Sequence, residues 1–321
     1  MLVYAVSFEA VLGLEFWIGV AVLAGTYGIF ALGLQLNVGF TGILNFGQAG
    51  FMALGAYAMG ILVADVGWSF WLALPVATLI AMAAGVFIGL PSLRLRADYF
   101  AIVTIAFAET IRYTAQNARE LTGGNQGLLG FDNEWAEISI AMQDALGNVG
   151  LGEYFLLPLA IVTWILFGVL VIVLRRLTRS PWGRVLRAIR EDEDAAAALG
   201  KNTLSYKLQS LAIAAALGAI AGYLLALNLS FINPFQFEPL LTFIGYAVLV
   251  LGGLASYVGV AVGAVVLWTL LEATRSLDLP LAAEQIAAVR FMLVGLALIL
   301  LMAFRPQGAL GKREEMVLGD Q

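Results

Sequence analysis

The side chains best able to make specific contacts are gathered in Ser180–Asn202, which reads SPWGRVLRAIREDEDAAAALGKN. Arg184, Arg187 and Arg190 recur at helical spacing opposite Val185, Leu186 and Ile189, which describes an amphipathic helix too short to span a membrane. Ser180 followed by Pro181 reads as a helix start, with the serine hydroxyl capping free N–H groups. Asp192 is placed to cap a second short helix, with Glu193 and Asp194 in its first turn, where acids are favoured. Ala195 to Ala198 favour helix strongly, and Gly200 is placed to end it. Positive-inside charge, or a helix lying on anionic lipid, would account for the arginines. Neither accounts for the acids Glu191–Asp194, which read better as part of a protein-docking surface.

Two other places hold polar groups where apolar ones would be ordinary. Glu109 and Arg112 lie three apart on one helix face inside an apolar run and can pair. Because Arg112 is close enough to a membrane surface to snorkel, a structural ion pair at the outer mouth is favoured over a substrate contact. The second place is Asn37–Gln48, NVGFTGILNFGQ, where Asn37, Thr41, Asn45 and Gln48 alternate with Phe40, Ile43, Leu44 and Phe46. One reading is a broken, half-buried helix bent at Gly39, Gly42 and Gly47, its neutral polar groups facing a zwitterionic or uncharged solute. The other is an ordinary cytoplasmic turn. With no histidine and no cysteine, acid–base catalysis by histidine, disulfides and His/Cys metal sites are excluded. The remaining carboxylates form no paired set, so an enzyme is not expected, nor any cofactor or metal bound by this chain.

The elements that must carry these groups follow from composition. The 321 residues are 61% hydrophobic and 12% charged, against about 25% charged in an average soluble domain. An all-α polytopic membrane protein of a single domain, 1–321, is expected. Nine runs approach the roughly 20 apolar residues a spanning helix needs: Phe16–Leu36, Gln48–Ala64, Ser69–Leu90, Tyr99–Asn117, Tyr154–Leu174, Leu208–Leu229, Leu240–Leu254, Val258–Ala273 and Ala288–Phe304. The seventh and eighth read as a tight hairpin. The start lacks a basic n-region and a small-residue cleavage site, so the first run is read as a retained helix.

Lys and Arg set the orientation. The loop 175–207 holds Arg175, Arg176, Arg179, Arg184, Arg187, Arg190, Lys201 and Lys207, which is eight of the 17 basic residues, and is read as cytoplasmic. The loop 113–153 pairs Arg119 with Glu120, Asp132, Glu134, Glu137, Asp144 and Glu153, and is read as extracytoplasmic. The result is N-terminus outside and C-terminus inside, with only Arg275 and Arg290 on the unfavoured side, near Asp278 and Glu284. LTGGNQGLLG at Leu121–Gly130 has the composition of a shaped turn, read as an external lid, a partner surface or a plain connector. Small residues at Ala214/Gly218/Gly222, Gly259/Gly263 and Ala49/Ala53/Ala56/Gly60 mark faces of close helix approach.

Asp194-Ala195-Ala196 followed by Gly200 resembles the EAAxxxG element of bacterial ABC importer permeases, with Asp in the Glu position. Together with NVGFTGILNFGQAGFMALGAYAMGIL, LRLRADYFAIVTIAFAETIR, LTGGNQGL and VLGGLASYVGVAVGAVV, the segment resembles the permease family for high-affinity uptake of branched-chain and other hydrophobic amino acids. The resemblance runs from about Ala24 to Arg305. It departs at the start, where relatives often have an extra span, and at Gln48, where they often carry histidine.

The resemblance implies a multi-pass subunit of the bacterial inner membrane. Its partners would be a second, homologous permease, two cytoplasmic ATPase subunits and an extracytoplasmic substrate-binding protein, with no nucleic acid involved. ATP and Mg would be used by the partner ATPases, since this chain has no GxxxxGK[ST] phosphate loop. The ATPase-coupling residues would be Arg184, Arg187, Arg190, Glu191, Glu193, Asp194, Ala195, Ala196 and Gly200, and Asn37, Thr41, Asn45, Gln48 and Glu109 are candidates for the substrate pathway. Related permeases carry urea or short amides, the nearest alternative. An ion-coupled secondary transporter is the further one, which spans nearly empty of charge disfavour.

Overall fold

A computed structural model describes residues 13–276 and, beyond them, 285, 288, 289, 292, 294–296, 299, 303 and 310. The apolar runs are helical as expected: α1 Leu14–Leu34, α2 Gln48–Ala64, α3 Phe70–Ser92, α4 Ala97–Asn117, α5 Asn133–Gly147, α6 Leu157–Arg179, α7 Pro181–Glu191, α8 Glu193–Ala198, α9 Thr203–Leu229, α10 Leu240–Gly252 and α11 Tyr257–Ser276. No strand occurs among the described residues; one isolated bridge joins Leu128 to Ile232.

Five helices are long and apolar enough to cross a membrane by length and composition: α1 with its continuation to Thr41, α3, α6, α9 and α11. The apolar α2 and α10 fall short, at 17 and 13 residues. At about 1.5 Å per residue α2 reaches about 25 Å, less than the roughly 30 Å hydrocarbon core. Most of the expected ninth span, Ala288–Phe304, and the basic tail residues Arg305, Lys312 and Arg313 lie outside the described residues.

Burial sorts the spans into two groups. The most apolar stretches of α9 and α1 are 83% and 78% buried, while those of α3 and α6 are only 28% and 33% buried. The centre of the bundle is therefore α9, packed on α1, α2 and α3, with α6 and α11 outside α1. Close approach explains the first group. Gly218 and Gly222 bring α9 against Phe51 and Met52 of α2, and Gly263 brings α11 against Val248 of α10. The small-residue faces expected from spacing thus lie at real helix contacts.

The loop 113–153 holds more structure than expected. It contains the 15-residue α5, whose Trp135 is buried near Phe70. Glu134 Oε2 accepts from the Phe70 N–H at 2.9 Å and from the Ser69 hydroxyl at 3.2 Å, fastening α5 to the start of α3. Gly124 to Gln126 of the glycine-rich turn form a single 3-10 turn.

A buried polar joint beneath two surface helices

After Leu34 the first helix does not stop. It widens into a π-helical turn, Gln35–Thr41, then runs irregularly to Gly47 before α2 begins. A π turn leaves backbone groups off the regular ladder, and here the surrounding helices supply the missing partners. Asn37, Asn45 and Gln48 are 0% exposed and Thr41 is 2% exposed, so the segment is not a solvated turn. Gly42, at φ +77°, turns the chain where a side chain would be strained, and a Cβ there would meet Arg190 Cγ at 3.2 Å.

The polar side chains of this joint mostly bond to neighbouring helices. The Thr41 hydroxyl donates to the Leu36 carbonyl at 3.0 Å and lies 2.7 Å from the Ser210 hydroxyl of α9, which reaches Asn37 Oδ1 at 3.2 Å. Asn45 Nδ2 donates to Gln48 Oε1 at 3.1 Å, and Gln48 Nε2 donates to the Ala214 carbonyl at 2.9 Å. Thr104 of α4 accepts from the Phe46 N–H, and Thr242 of α10 accepts from the Ala49 N–H, both at 3.1 Å. The Tyr246 hydroxyl donates to the Asn45 carbonyl at 2.9 Å. The Gln35 side-chain oxygen, with its amide oriented to satisfy both neighbours, accepts from the Ala255 and Ser256 N–H groups at the head of α11.

The four residues chosen from sequence are therefore brought together, but as a joint tying α1, α2, α4, α9 and α10. Asn37 Nδ2 alone is buried with no acceptor, and Thr41 also lines a cavity of about 200 Å³ shared with Arg96, Arg190, Glu193 and Lys207. Sequence reasoning missed Gln35, Thr104, Ser210, Thr242 and Tyr246. Three of them, Thr104, Ser210 and Thr242, could have been flagged as hydroxyls inside apolar runs. Glu109 stands apart from this network: it pairs with Arg112, Oε2 to Nη2 at 2.6 Å, and the guanidinium also lies 4.5 Å from the Tyr113 ring.

Replacing Gln48 with alanine is expected to leave the Asn45 amide without its acceptor and open a void against Ala214. An unsatisfied buried group of this kind costs about 2 kcal/mol, which thermal unfolding of the purified protein would report.

Directly against the joint lie the two surface helices. α7 buries Leu186 and Ile189 of the expected apolar face together with Gly183, half-buries Val185, and leaves Arg184 and Arg187 exposed. Arg190 Nη1 donates to the Gly39 carbonyl within the π turn. Arg187 Nη2 donates to the Thr178 carbonyl at 3.1 Å, and its guanidinium carbon sits 5.7 Å from the Phe40 ring. Asp192 does cap α8, accepting from the Ala195 N–H at 2.9 Å. Ser180 does not cap α7: its hydroxyl accepts none of the α7 N–H groups and turns back to donate to the Leu177 carbonyl at 2.7 Å. Glu191, Glu193 and Asp194 are exposed, and Glu193 is held by Lys207 of α9. Ala195 is exposed, Ala196 is buried, and Gly200, at φ +78°, closes the short helix.

The sequence profile of the family described as branched-chain amino acid transport system, permease component, matches residues 16–303. The chain is 35% identical over 309 residues to the high-affinity branched-chain amino acid transport system permease protein LivM of Escherichia coli K12, covering 91% of this chain and 69% of the relative. It is 27% identical over 331 residues to the probable branched-chain amino acid transport permease LivM of Methanocaldococcus jannaschii, covering 90% and 91% of the two chains. It is 29% identical over 307 residues to the permease protein LivH of Escherichia coli K12, covering 91% and 93%. No solved structure matches. Several apolar helices of spanning length, with a profile match over most of the sequence, make this a multi-pass membrane protein that belongs to the family of branched-chain amino acid transport permeases.

Proposed function

We propose that the chain is one of two dissimilar permease subunits in an ATP-driven importer of branched-chain or other neutral, hydrophobic amino acids in a bacterial inner membrane. It crosses with nine spans, N-terminus outside and C-terminus cytoplasmic. Two cytoplasmic ATPases dock on 175–207, and an extracytoplasmic binding protein delivers the substrate. ATP and Mg are bound and used by the ATPases.

The observation that carries the reading is the Arg190–Gly39 contact, which ties an exposed amphipathic helix to a buried, irregular turn at the centre of the bundle. ATPase closure felt at α7 and α8 reaches Gln35–Thr41 through Arg190 and reaches α9 through the Glu193–Lys207 pair. Both α1 and α9 are core helices, so moving their ends re-seats the bundle and alternates access to a central path. The joint is then a hinge, and its neutral side chains hold the hinge together; among the path candidates, Glu109 lies outside it, held by Arg112 as the ion pair expected from spacing.

The test is uptake of labelled leucine by cells carrying the whole transporter, with urea as competitor. Uptake should stop on ATP depletion, persist with an uncoupler, and be unaffected by urea. Uptake that survives ATP depletion but collapses with an uncoupler overturns the reading.

A further inference from the structure

A second concave site lies at the same end of the bundle, between the end of α6, α7 and the α10–α11 connection. It has a volume of about 340 Å³, and its polar lining includes Arg175, Arg179, Arg187, Thr178, Ser256 and Tyr257. One wall is held by side-chain contacts. Arg187 is pinned by the Thr178 carbonyl and the Phe40 ring, Phe40 stacks on Tyr257 at 5.5 Å, and the Tyr257 and Thr178 hydroxyls lie 2.9 Å apart. Three arginines line this pocket, and among the described residues no carboxylate pairs with any of them. Like charges brought together around one cavity repel unless an anion lies among them, and planar guanidinium forks suit phosphate oxygens.

What lies beside the pocket narrows the ligand. The exposed face of α6 runs through Val169, Ile172 and Val173 directly into Arg175 and Arg179, and Val258 beside the pocket is 66% exposed. Apolar surface next to a basic, hydroxyl-rich cavity fits an amphiphile, with its phosphate among the arginines and its acyl chains over the aliphatic residues. We propose that this pocket binds the phosphate headgroup of an anionic phospholipid in the cytoplasmic leaflet. The inference rests on the orientation given under the proposed function, which puts the end of α6 on the cytoplasmic side. Lipid held there bridges α6, α7 and the head of α11, and so braces the platform on which α7 stands.

The test uses the intact transporter in phosphatidylcholine nanodiscs doped with phosphatidylglycerol, with bound lipid read by native mass spectrometry. The wild type should retain phosphatidylglycerol, and Arg175→Gln with Arg179→Gln should weaken retention roughly tenfold or more. Arg94→Gln with Arg96→Gln, which removes the same charge elsewhere, should change it little. Equal loss from both pairs would reduce the effect to general surface charge and overturn the site. Displacement by soluble glycerol phosphate as readily as by lipid would assign a free-phosphate site instead. Unchanged lipid with loss of co-purifying ATPase would make the arginines a protein contact, against the proposal. None of these readouts depends on transport, so the site can fail while ATP-dependent uptake stands.

Discussion

Replacing Gly222 with leucine should destabilise the bundle more than any other single change on α9. A Cβ at Gly222 would fall 1.9 Å from the Met52 carbonyl oxygen, a backbone atom of α2 that cannot move without moving its helix. Overpacking a helix interface costs about 3 kcal/mol, and here the obstacle is backbone, so the two core helices must part. Purified protein should show a marked fall in apparent melting temperature, with reduced yield of folded material. Gly168→Leu on α6 is the control, since a Cβ there meets nothing within 4 Å. If both variants melt alike, contact between α2 and α9 is not what holds the centre.

Reversing the acids of α8 should act on transport and leave the fold in place. Glu193→Lys with Asp194→Lys is expected to cut uptake at least about tenfold, the order of effect from opposing charges at a protein contact. It should also abolish stimulation of the ATPase by loaded binding protein. Normal stimulation in that double variant would sink the coupling role. The structure separates the two residues. Both are exposed, but Glu193 is also paired with Lys207 on α9. Exchanging the charges, Glu193→Lys with Lys207→Glu, restores the internal tie while reversing the surface. Recovery of uptake in the exchanged variant would place Glu193 in transmission within this chain, and continued loss would place it in contact with the ATPase. Asp192 is left unaltered in both, because removing its cap would cost α8 about 1 kcal/mol on its own.

Much of this was legible in the sequence because it depends on local spacing. Apolar runs of about 20 residues in a chain this poor in charge read as helices, since only a helix or a closed barrel satisfies backbone polar groups in lipid and barrel strands are about half that length. The amphipathic face of Pro181–Glu191, the cap at Asp192 and the stop at Gly200 are set within one or two turns of chain. Ser180 shows where such reasoning ends: its position fits a cap, yet its hydroxyl donates to the Leu177 carbonyl and accepts no N–H of the helix that follows.

The sequence by itself determined the fold class, the family and the charged platform, and left Asn37–Gln48 open between a broken, half-buried helix and an ordinary turn. Only the tertiary structure decided what that segment does locally. Its partners Ser210, Ala214 and Tyr246 lie more than 160 positions away along the chain. No spacing rule reaches across that distance, because which hydroxyl meets which carbonyl depends on how close α2 and α9 can come. That approach is set by Gly222 against Met52, and it buries the polar side chains of the joint where Arg190 can hold the turn from above.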